Sequence, residues 1–280
     1  MFDLSKSTLA AGVAALALTA TATAQESAPA VNNGAVSFSL GADIPTKYIF
    51  RGYEIEEDGL IVQPYLEASF AIGDGVDFYL GTWHSFEETN GGVTESDYYA
   101  GVSFSAFDPL SFDISLVHYN YPQSDSDLGD YNELNIAVAY DDSNLWGSDF
   151  SIAPYALLAI EFDTETPGDD DNIYLELGGE TGFTLFESED YAIDLTVPVA
   201  VGLSLDEFYV DDEGDNEFFG YVSIGANVGM PLNFIPSEFG TWSAGAGVTF
   251  FILNDNAVGL DDGSNEEFNL VGTVGIAMEY

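Results

Sequence analysis

A regular two-residue alternation of apolar and polar side chains runs along the chain from about residue 35 to its end. The stretch YAIDLTVPVAVGLSL (residues 191–205) places Ile193 and Leu195 on one face and Asp194 and Thr196 on the other. Side chains of a β-strand point alternately to the two faces of a sheet, so this period predicts strands. We predict twelve strands, at residues 35–52, 60–72, 76–87, 96–107, 111–122, 131–141, 149–162, 172–186, 191–205, 218–232, 241–253 and 267–280.

The connections between these strands alternate in length and charge. Most that follow even-numbered strands are short, such as ESED (residues 187–190), whereas those after odd-numbered strands are long and acidic, such as FEETNGGVTESD (residues 86–97). Every predicted strand exceeds the roughly 9–11 residues that a tilted strand needs to cross a bilayer. We therefore predict an all-β fold, a transmembrane antiparallel up-and-down β-barrel of about 12 strands, with short periplasmic turns and long acidic extracellular loops.

A soluble β-sandwich or secreted adhesin is the alternative all-β fold, because it also contains many strands. Three features favour the barrel: the strands are long, one face is almost free of charge, and charge is concentrated in every second loop. A soluble sheet exposes its polar face to water. Here the apolar face must point outwards, to lipid, and the polar face inwards.

Aromatic residues at both ends of the outward face support the same prediction, since aromatic belts mark the two interfaces of a membrane. We place one belt at the loop ends of the strands, formed by Tyr48, Phe50, Phe86, Tyr98, Phe162, Phe218, Phe250 and Phe268. We place the other at the turn ends, formed by Phe38, Phe78, Phe112, Tyr140, Phe150, Tyr191, Trp242 and Tyr280.

The N-terminus has the pattern of a secretory signal. Lys6 precedes a short Ala/Leu-rich segment, and Ala22-Thr23-Ala24 offers a cleavage site. We predict a signal peptide at residues 1–24, a flexible lead-in at 25–34 and the barrel at 35–280.

The charge composition is extreme, with 49 acidic and three basic residues and a formal net charge of −46. Such a protein repels the phosphates of nucleic acid, which excludes that class of partner. The chain has no Cys, so it forms no disulfide, and its two His argue against a histidine-based zinc site.

Two of the three bases, Lys47 and Arg51, share the inward face of the first predicted strand. We expect them to pair with Glu67 and neighbouring acids, because an isolated charge in a barrel interior is costly. The predicted pore-lining residues are Asp43, Lys47, Arg51, Gln63, Glu67, Asp77, Glu133, Glu161, Glu176 and Glu180, with Asp113 and Asp194 on the same face. Because acids dominate this wall, we predict weak cation selectivity.

Acidic loop segments could bind calcium through carboxylate oxygens. Asp211, Glu213 and Asp215 come nearest to the spacing of a calcium loop, without completing it. The alternative is a solvated, mutually repelling outer surface. We predict no other cofactor.

Catalysis would need a nucleophile and a base on the same face. His84 is next to Ser85, and adjacent residues of a strand point to opposite faces, so this pair cannot act together. We therefore expect no enzyme.

A series of short motifs resembles the TorF porin family. YIFRG (residues 48–52), VQPYLEASF (62–70), FYLGTWHS (78–85), YNYP (119–122) and YNELNIAVAY (131–140) occur in the order of that family. The resemblance covers about residues 40–140 and implies an outer-membrane β-barrel with a role in transport.

These observations predict a porin-like channel for passive diffusion of small hydrophilic solutes, which requires a continuous water path past Arg51. The alternative is a non-conducting structural or surface-binding barrel, closed by its Arg/Glu pairs, whose acidic loops bind divalent cations or a partner. In either case the expected partners are outer-membrane lipids, lipopolysaccharide and the barrel-assembly machinery, to which the terminal Tyr280 would be presented.

Overall fold

The computed structural model describes residues 34–123, 130–146, 150–162, 172–188, 192–257, 260 and 268–280. The predicted signal peptide and all but the last residue of the predicted lead-in lie outside these ranges, as does Tyr191. The predicted domain boundaries therefore stay a prediction.

Twelve long strands of the described part close into an antiparallel barrel, which confirms the predicted fold class. The strands are β1 (Val36–Pro45), β2 (Tyr48–Phe50), β3 (Tyr53–Glu56), β4 (Ile61–Gly73), β5 (Val76–Glu87), β6 (Gly92–Phe107), β7 (Leu110–Asn120), β8 (Tyr131–Tyr140), β9 (Tyr155–Phe162), β10 (Ile173–Glu187), β11 (Ala192–Asp206), β12 (Phe219–Pro231), β13 (Thr241–Leu253) and β14 (Phe268–Glu279). Each wall strand pairs with its neighbours in sequence order, and β1 closes the wall by pairing with both β4 and β14. Strands β2 and β3 form a separate two-stranded sheet.

One short 3₁₀-helix, Ser237–Phe239, lies in the connection between β12 and β13. Across the described ranges, no helix combines the length and the apolar character needed to cross a membrane.

Burial alternates along the wall strands as the sequence predicts, with the apolar face outwards. On β7, Asp113 and Ser115 point into the barrel and are buried, whereas Ile114 and Leu116 point out and are 45% and 55% exposed. The predicted belt residues Phe86, Tyr98, Phe250 and Phe268 are exposed on the same outer face. This distribution is the reverse of that in a water-soluble domain and suits a surface solvated by lipid.

The first predicted strand is wrong beyond Pro45. Strand β1 ends there, and residues 48–56 turn into the barrel as the hairpin β2–β3. Tyr48 and Phe50 are therefore buried inside and do not belong to the outer aromatic belt. On the β14 side Thr46 still donates its N–H to the carbonyl of Gly272 at 2.8 Å, so the chain leaves the wall directly after this residue. Pro45 has no N–H to extend the ladder towards β4.

Strand β9 also begins later than predicted, at Tyr155 and not at residue 149. The preceding connection is organised by Asp142, which is buried. Its carboxylate accepts hydrogen bonds from the Trp146 indole, the Ser151 hydroxyl and the backbone N–H groups of Ile152 and Ala153. Burial opposes ionisation of Asp142, but these four donors outweigh it and lower the pKa of its carboxyl.

Replacing Asp142 by Asn should destabilise the protein by about 1–3 kcal/mol, because buried donors lose a charged acceptor. Since folding lowers the pKa of Asp142, its contribution is present at neutral pH and is lost as the pH falls through the acid range. Urea unfolding in detergent micelles at pH 7 and pH 3 measures both effects. Equal stability of the variant and the wild type at pH 7 would contradict this role.

Candidate functional site

The hairpin β2–β3 occupies the barrel interior near the end that carries the long loops. Phe50 and Tyr53 pair across a two-residue turn formed by Arg51 and Gly52. Both turn residues have positive φ, 50° for Arg51 and 90° for Gly52, as a type I′ hairpin turn requires. A positive φ is unusual for a residue with a side chain, so contacts of Arg51 must hold it there.

Arg51 forms a buried bidentate ion pair with Glu133 of β8. Its Nη1 and Nη2 donate to Glu133 Oε2 at 2.6 Å and to Oε1 at 2.9 Å, and the two side chains are 4% and 0% exposed. Glu133 Oε1 also accepts hydrogen bonds from the Tyr119 hydroxyl and the Asn135 amide. The Arg51 guanidinium lies 4.3 Å from the centre of the Tyr174 ring, a cation–π contact.

Two aromatic clusters pack against opposite sides of the hairpin. On one side Tyr48 and Phe50 join a cluster with residues of β4, β5 and β7, in which the Tyr48 and Trp83 rings are 5.5 Å apart. On the other side Ile49 and Tyr53 pack against a cluster with residues of β9, β10 and β12 to β14.

We call the hairpin β2–β3 (residues 48–56) the plug. The connection between β11 and β12 also contacts it. The Tyr209 hydroxyl donates to the backbone carbonyl of Arg51 at 2.8 Å, and the Tyr53 hydroxyl donates to the carbonyl of Phe208 at 2.7 Å. The hairpin thus contacts residues of β4, β5, β7 to β10 and β12 to β14, together with the β11–β12 connection. These buried side chains lie in the lumen at the depth of Arg51, where the sequence predicts a water path.

Lys47 binds the base of the hairpin at the more exposed end of the plug. Its Nζ lies 2.9 Å from Glu54, 3.1 Å from Glu57 and 3.1 Å from the Asn269 amide oxygen. Partial burial opposes the charged form of Lys47, but the two carboxylates outweigh it and raise the pKa of the ammonium group. A small cavity beside Lys47 is lined by Asp43, Tyr48 and Gln63 among others.

Both bases pair with acids, as predicted, but neither pairs with Glu67, so that part of the prediction is wrong. The period-two pattern extended β1 to residue 52 and thereby placed both bases on the wall beside β4. The hairpin instead carries Arg51 across the lumen to β8, while Lys47 stays at the rim with acids of the hairpin itself.

Tyrosine hydroxyls satisfy several of the lumen carboxylates that have no base. Glu176 accepts hydrogen bonds from Tyr155, Tyr174 and Tyr221 at 2.6–2.7 Å. Asp113 accepts one from Tyr79 at 2.8 Å. Sequence reasoning missed these partners, although Tyr-x-Glu recurs at residues 65–67, 131–133 and 174–176 and puts both side chains on the inward face.

The other predicted pore-lining residues lie on the inner wall as well. Asp43 and Gln63 are directly opposite each other on β1 and β4 and are buried. Glu133 and Glu161 face each other across β8 and β9, and the Glu161 carboxylate accepts from the Asn172 amide. The inner positions nearer the turn end include Glu67, Asp77, Glu180 and Asp194. Their role in conduction stays a prediction.

Two buried acids beside the plug are absent from the predicted pore-lining residues: Glu95 falls in a segment predicted as a loop, and Asp97 falls at the start of the strand predicted at residues 96–107. Glu95 and Asp97 are on the inward face of β6, which begins at Gly92. Within the described residues both carboxylate oxygens of Asp97, one of Glu95 and the Trp83 indole N–H have no hydrogen-bond partner. The lumen therefore carries more acid than its base and its tyrosines satisfy.

In the predicted calcium loop, the carboxylate of Asp211 is occupied by hydrogen bonds from the backbone of the same loop. The Asp211 carboxylate accepts hydrogen bonds from the backbone N–H groups of Glu213 and Asp215 at 2.8 and 3.0 Å. Within the described ranges, no group of three or more His, Asp or Glu side chains is arranged to hold a metal ion. Calcium binding by these loops stays a prediction.

On the outer face, the structure confirms the register argument about Ser85, which points inwards while His84 points outwards. It also shows a partner that the sequence argument missed. His84 lies directly opposite Ser96 of β6, and its Nδ1 is 2.9 Å from the Ser96 hydroxyl. Only the register between β5 and β6 reveals this pair.

Replacing Arg51 by Met should loosen the plug, because Glu133 would remain buried without its counter-charge, at a cost of about 3–5 kcal/mol. In a background with Trp146→Phe and Trp242→Phe, Trp83 alone reports on the plug. We expect acrylamide to quench Trp83 fluorescence more strongly in the Arg51→Met variant. Lys47→Met is the matched control and should change quenching little, because more exposed pairs contribute about 0–1 kcal/mol. Equal quenching in all three proteins would contradict the role of Arg51.

Comparisons with known proteins give one family match and several structural likenesses. No curated protein sequence matches the chain. A bacterial polysaccharide outer membrane secretin shares 10% identity over 88% of this chain and 97% of its own, with a TM-score of 0.45. An outer membrane channel from Pseudomonas putida F1 gives 9% identity, 88% and 96% coverage and a TM-score of 0.45. The KdgM porin shares 10% identity over 87% of this chain and 99% of its own, with a TM-score of 0.43.

The family model covers most of the barrel wall. It is described as "Bacterial protein of unknown function (Gcw_chp)" and matches residues 29–234, a range that includes the plug hairpin, Glu133 and the strands from β1 to β12. The chain therefore belongs to the Gcw_chp family.

Proposed function

We propose that the protein is a porin-like channel of the bacterial outer membrane, through which small hydrophilic solutes diffuse passively once the plug hairpin is displaced. The observation that carries the proposal is the combination of an apolar outer face with a polar, acidic inner wall in a closed 12-strand barrel. The resemblance of the motifs at residues 40–140 to the TorF porin family supports the same role. We assign no catalysis to the lumen.

The hairpin forms a sheet separate from the wall, which supports the proposal that the lumen can open while the barrel stays closed on itself. Strands β2 and β3 share no ladder with the wall, whereas β1 and β4 pair directly, with Asp43 opposite Gln63. The wall is therefore complete without the hairpin. Displacing residues 48–56 would open the lumen while every wall strand keeps its neighbours.

Weak cation selectivity is part of the proposal. Of the bases among the described residues, Arg51 is bound by Glu133, and Lys47 by Glu54 and Glu57. The inner wall below the plug carries Glu67, Asp113 and Glu180 without a basic partner. A water-filled pore with such a wall has a negative potential that attracts cations.

Placement in the outer membrane is part of the proposal. Phe38 and Tyr280 exchange backbone hydrogen bonds at 2.9 and 2.8 Å, so the β1–β14 seam extends to Tyr280. We propose that the barrel-assembly machinery receives this last strand. Outer-membrane lipids and lipopolysaccharide would then surround the apolar face, and acidic loops such as residues 211–217 would meet cations at the cell surface.

A non-conducting structural barrel is the second candidate, and the buried Arg51–Glu133 pair favours it because that pair ties the hairpin across the lumen to β8. In that case the acidic loops would bind divalent cations or a partner. The two candidates predict different behaviour for a barrel without its plug. The channel holds a continuous water path through the rest of its lumen and conducts, whereas the structural barrel does not.

The test is planar-bilayer recording of a plugless barrel. Residues 46–60 are replaced by a short turn that joins Pro45 to Ile61, which the β1–β4 register brings together. Glu133→Gln is added so that no charge is left without its partner. We expect stepwise current that is larger and steadier than in the wild type, with a reversal potential in a KCl gradient that shows preference for cations.

A control variant replaces residues 211–215 with a Gly/Ser segment of equal length and keeps Tyr209 and Asn216, so that the contacts of this connection with the plug are retained. It should conduct like the wild type. Silence of the plugless barrel over repeated, verified insertions would overturn the channel proposal and support the structural barrel. Anion preference would overturn the selectivity assignment alone.

A further inference from the structure

A serine and a histidine are hydrogen-bonded to each other on the outer face of the barrel. His84 of β5 and Ser96 of β6 are cross-strand neighbours, and His84 Nδ1 is 2.9 Å from Ser96 Oγ. The other ring nitrogen, Nε2, is 2.9 Å from the hydroxyl oxygen of Thr82. A base within hydrogen-bond distance of a hydroxyl, itself oriented by a third group, is the arrangement that activates a serine nucleophile.

The hydrogen bonds determine which nitrogen of His84 is the base. Thr82 donates its one hydroxyl proton to the carbonyl of Asp97 at 2.9 Å. The Thr82 oxygen can therefore only accept a hydrogen bond from His84, so His84 Nε2 must be protonated and act as the donor. Nδ1 of the neutral ring is then unprotonated and accepts the proton of Ser96. This is the tautomer that a general base needs.

The surroundings of the pair combine a polar group with an apolar wall. Asn120 of β7 is directly opposite Ser96, and one N–H of its amide donates to Asp130 at 2.7 Å. The second N–H of an amide can donate to a developing oxyanion. Further towards the turn end, Leu80 of β5 and Leu116 of β7 are exposed on the outer face. We call this apolar part of the outer face the apolar belt.

We propose that Ser96 and His84 form a catalytic dyad that cleaves the acyl esters of lipids lying against the outer wall. The position suits such a substrate: His84 is three residues from the loop end of β5, about 10 Å along the strand, with the apolar belt beyond it. Acyl chains would lie against the belt and the ester would reach the dyad. This activity is separate from transport and needs only the outer face to contact lipid.

The reaction balances with water as the co-substrate. Ser96 Oγ attacks the ester carbonyl while His84 Nδ1 takes the serine proton, and Asn120 donates to the carbonyl oxygen as it becomes negative. The C–O bond then breaks, and the imidazolium returns the proton to the leaving alcohol. Water next attacks the acyl-serine, with His84 again accepting a proton, and the fatty acid leaves as Ser96 regains its own.

Access to Ser96 is controlled by its neighbours. Ser96 is only 7% exposed, while Tyr98, the next outward residue on β6, is 53% exposed and lies edge-on to the His84 ring at 6.1 Å. Tyr98 therefore restricts access, and its ring must move for an ester to reach the Ser96 hydroxyl. Removing its ring by Tyr98→Ala should speed acylation of Ser96.

The first experiment treats the folded barrel in detergent micelles with a fluorophosphonate, which reacts with activated serines, and maps the modified residue by mass spectrometry. We expect modification at Ser96, no modification in Ser96→Ala, and a rate reduced by about 100-fold in His84→Gln. Ser85→Ala is the matched control, because Ser85 adjoins His84 but faces the interior, and it should label like the wild type.

The second experiment supplies a phospholipid with a fluorogenic acyl chain in mixed micelles. Release of the chain by the wild type and its loss in Ser96→Ala would support the dyad. Heat-modifiable migration on gels verifies that each variant is folded. Absence of labelling in the folded wild type, labelling that persists in Ser96→Ala, or equal lipid cleavage by both proteins would overturn the proposal.

Discussion

The buried ion pair between Arg51 and Glu133 is the interaction on which the state of the lumen depends. Arg51 is at the tip of a hairpin that has no ladder with the wall, so side-chain contacts must hold the hairpin in place. The desolvation of such a pair offsets much of its attraction, and its worth lies in fixing one arrangement. Aromatic packing on both sides of the hairpin supplies the apolar part of the stability, and the pair specifies where the tip docks.

A second constraint is the shortage of bases in a highly acidic chain. With three basic residues in the whole sequence, the inner wall cannot neutralise its carboxylates by ion pairs. Tyrosine solves part of the problem, because its hydroxyl donates to a carboxylate while its ring packs against the wall, as the three tyrosines around Glu176 show. The unpartnered oxygens of Asp97 show where the tyrosines do not reach.

Much of the wall could be predicted from the sequence, because a half-buried strand imposes period two on its residues. Strands such as β5 and β13 begin and end at the predicted residues. The plug could not be predicted in this way, since Tyr48 and Phe50 continue the same period inside the barrel. Arg51-Gly52 was the available signal for a tight turn. The His84–Ser96 pair was out of reach, because cross-strand neighbours depend on register and not on spacing along the chain.

Hydrogen exchange of the plug tests the central claim most directly. Amides of residues 48–56 are compared between the wild type and Glu133→Gln in the same micelles, with the wall strands as internal reference. If the ion pair holds the plug, these amides exchange slowly in the wild type and at least about tenfold faster in the variant, while the wall amides are unchanged. Equal exchange in the two proteins, or fast exchange of the plug already in the wild type, would contradict the account.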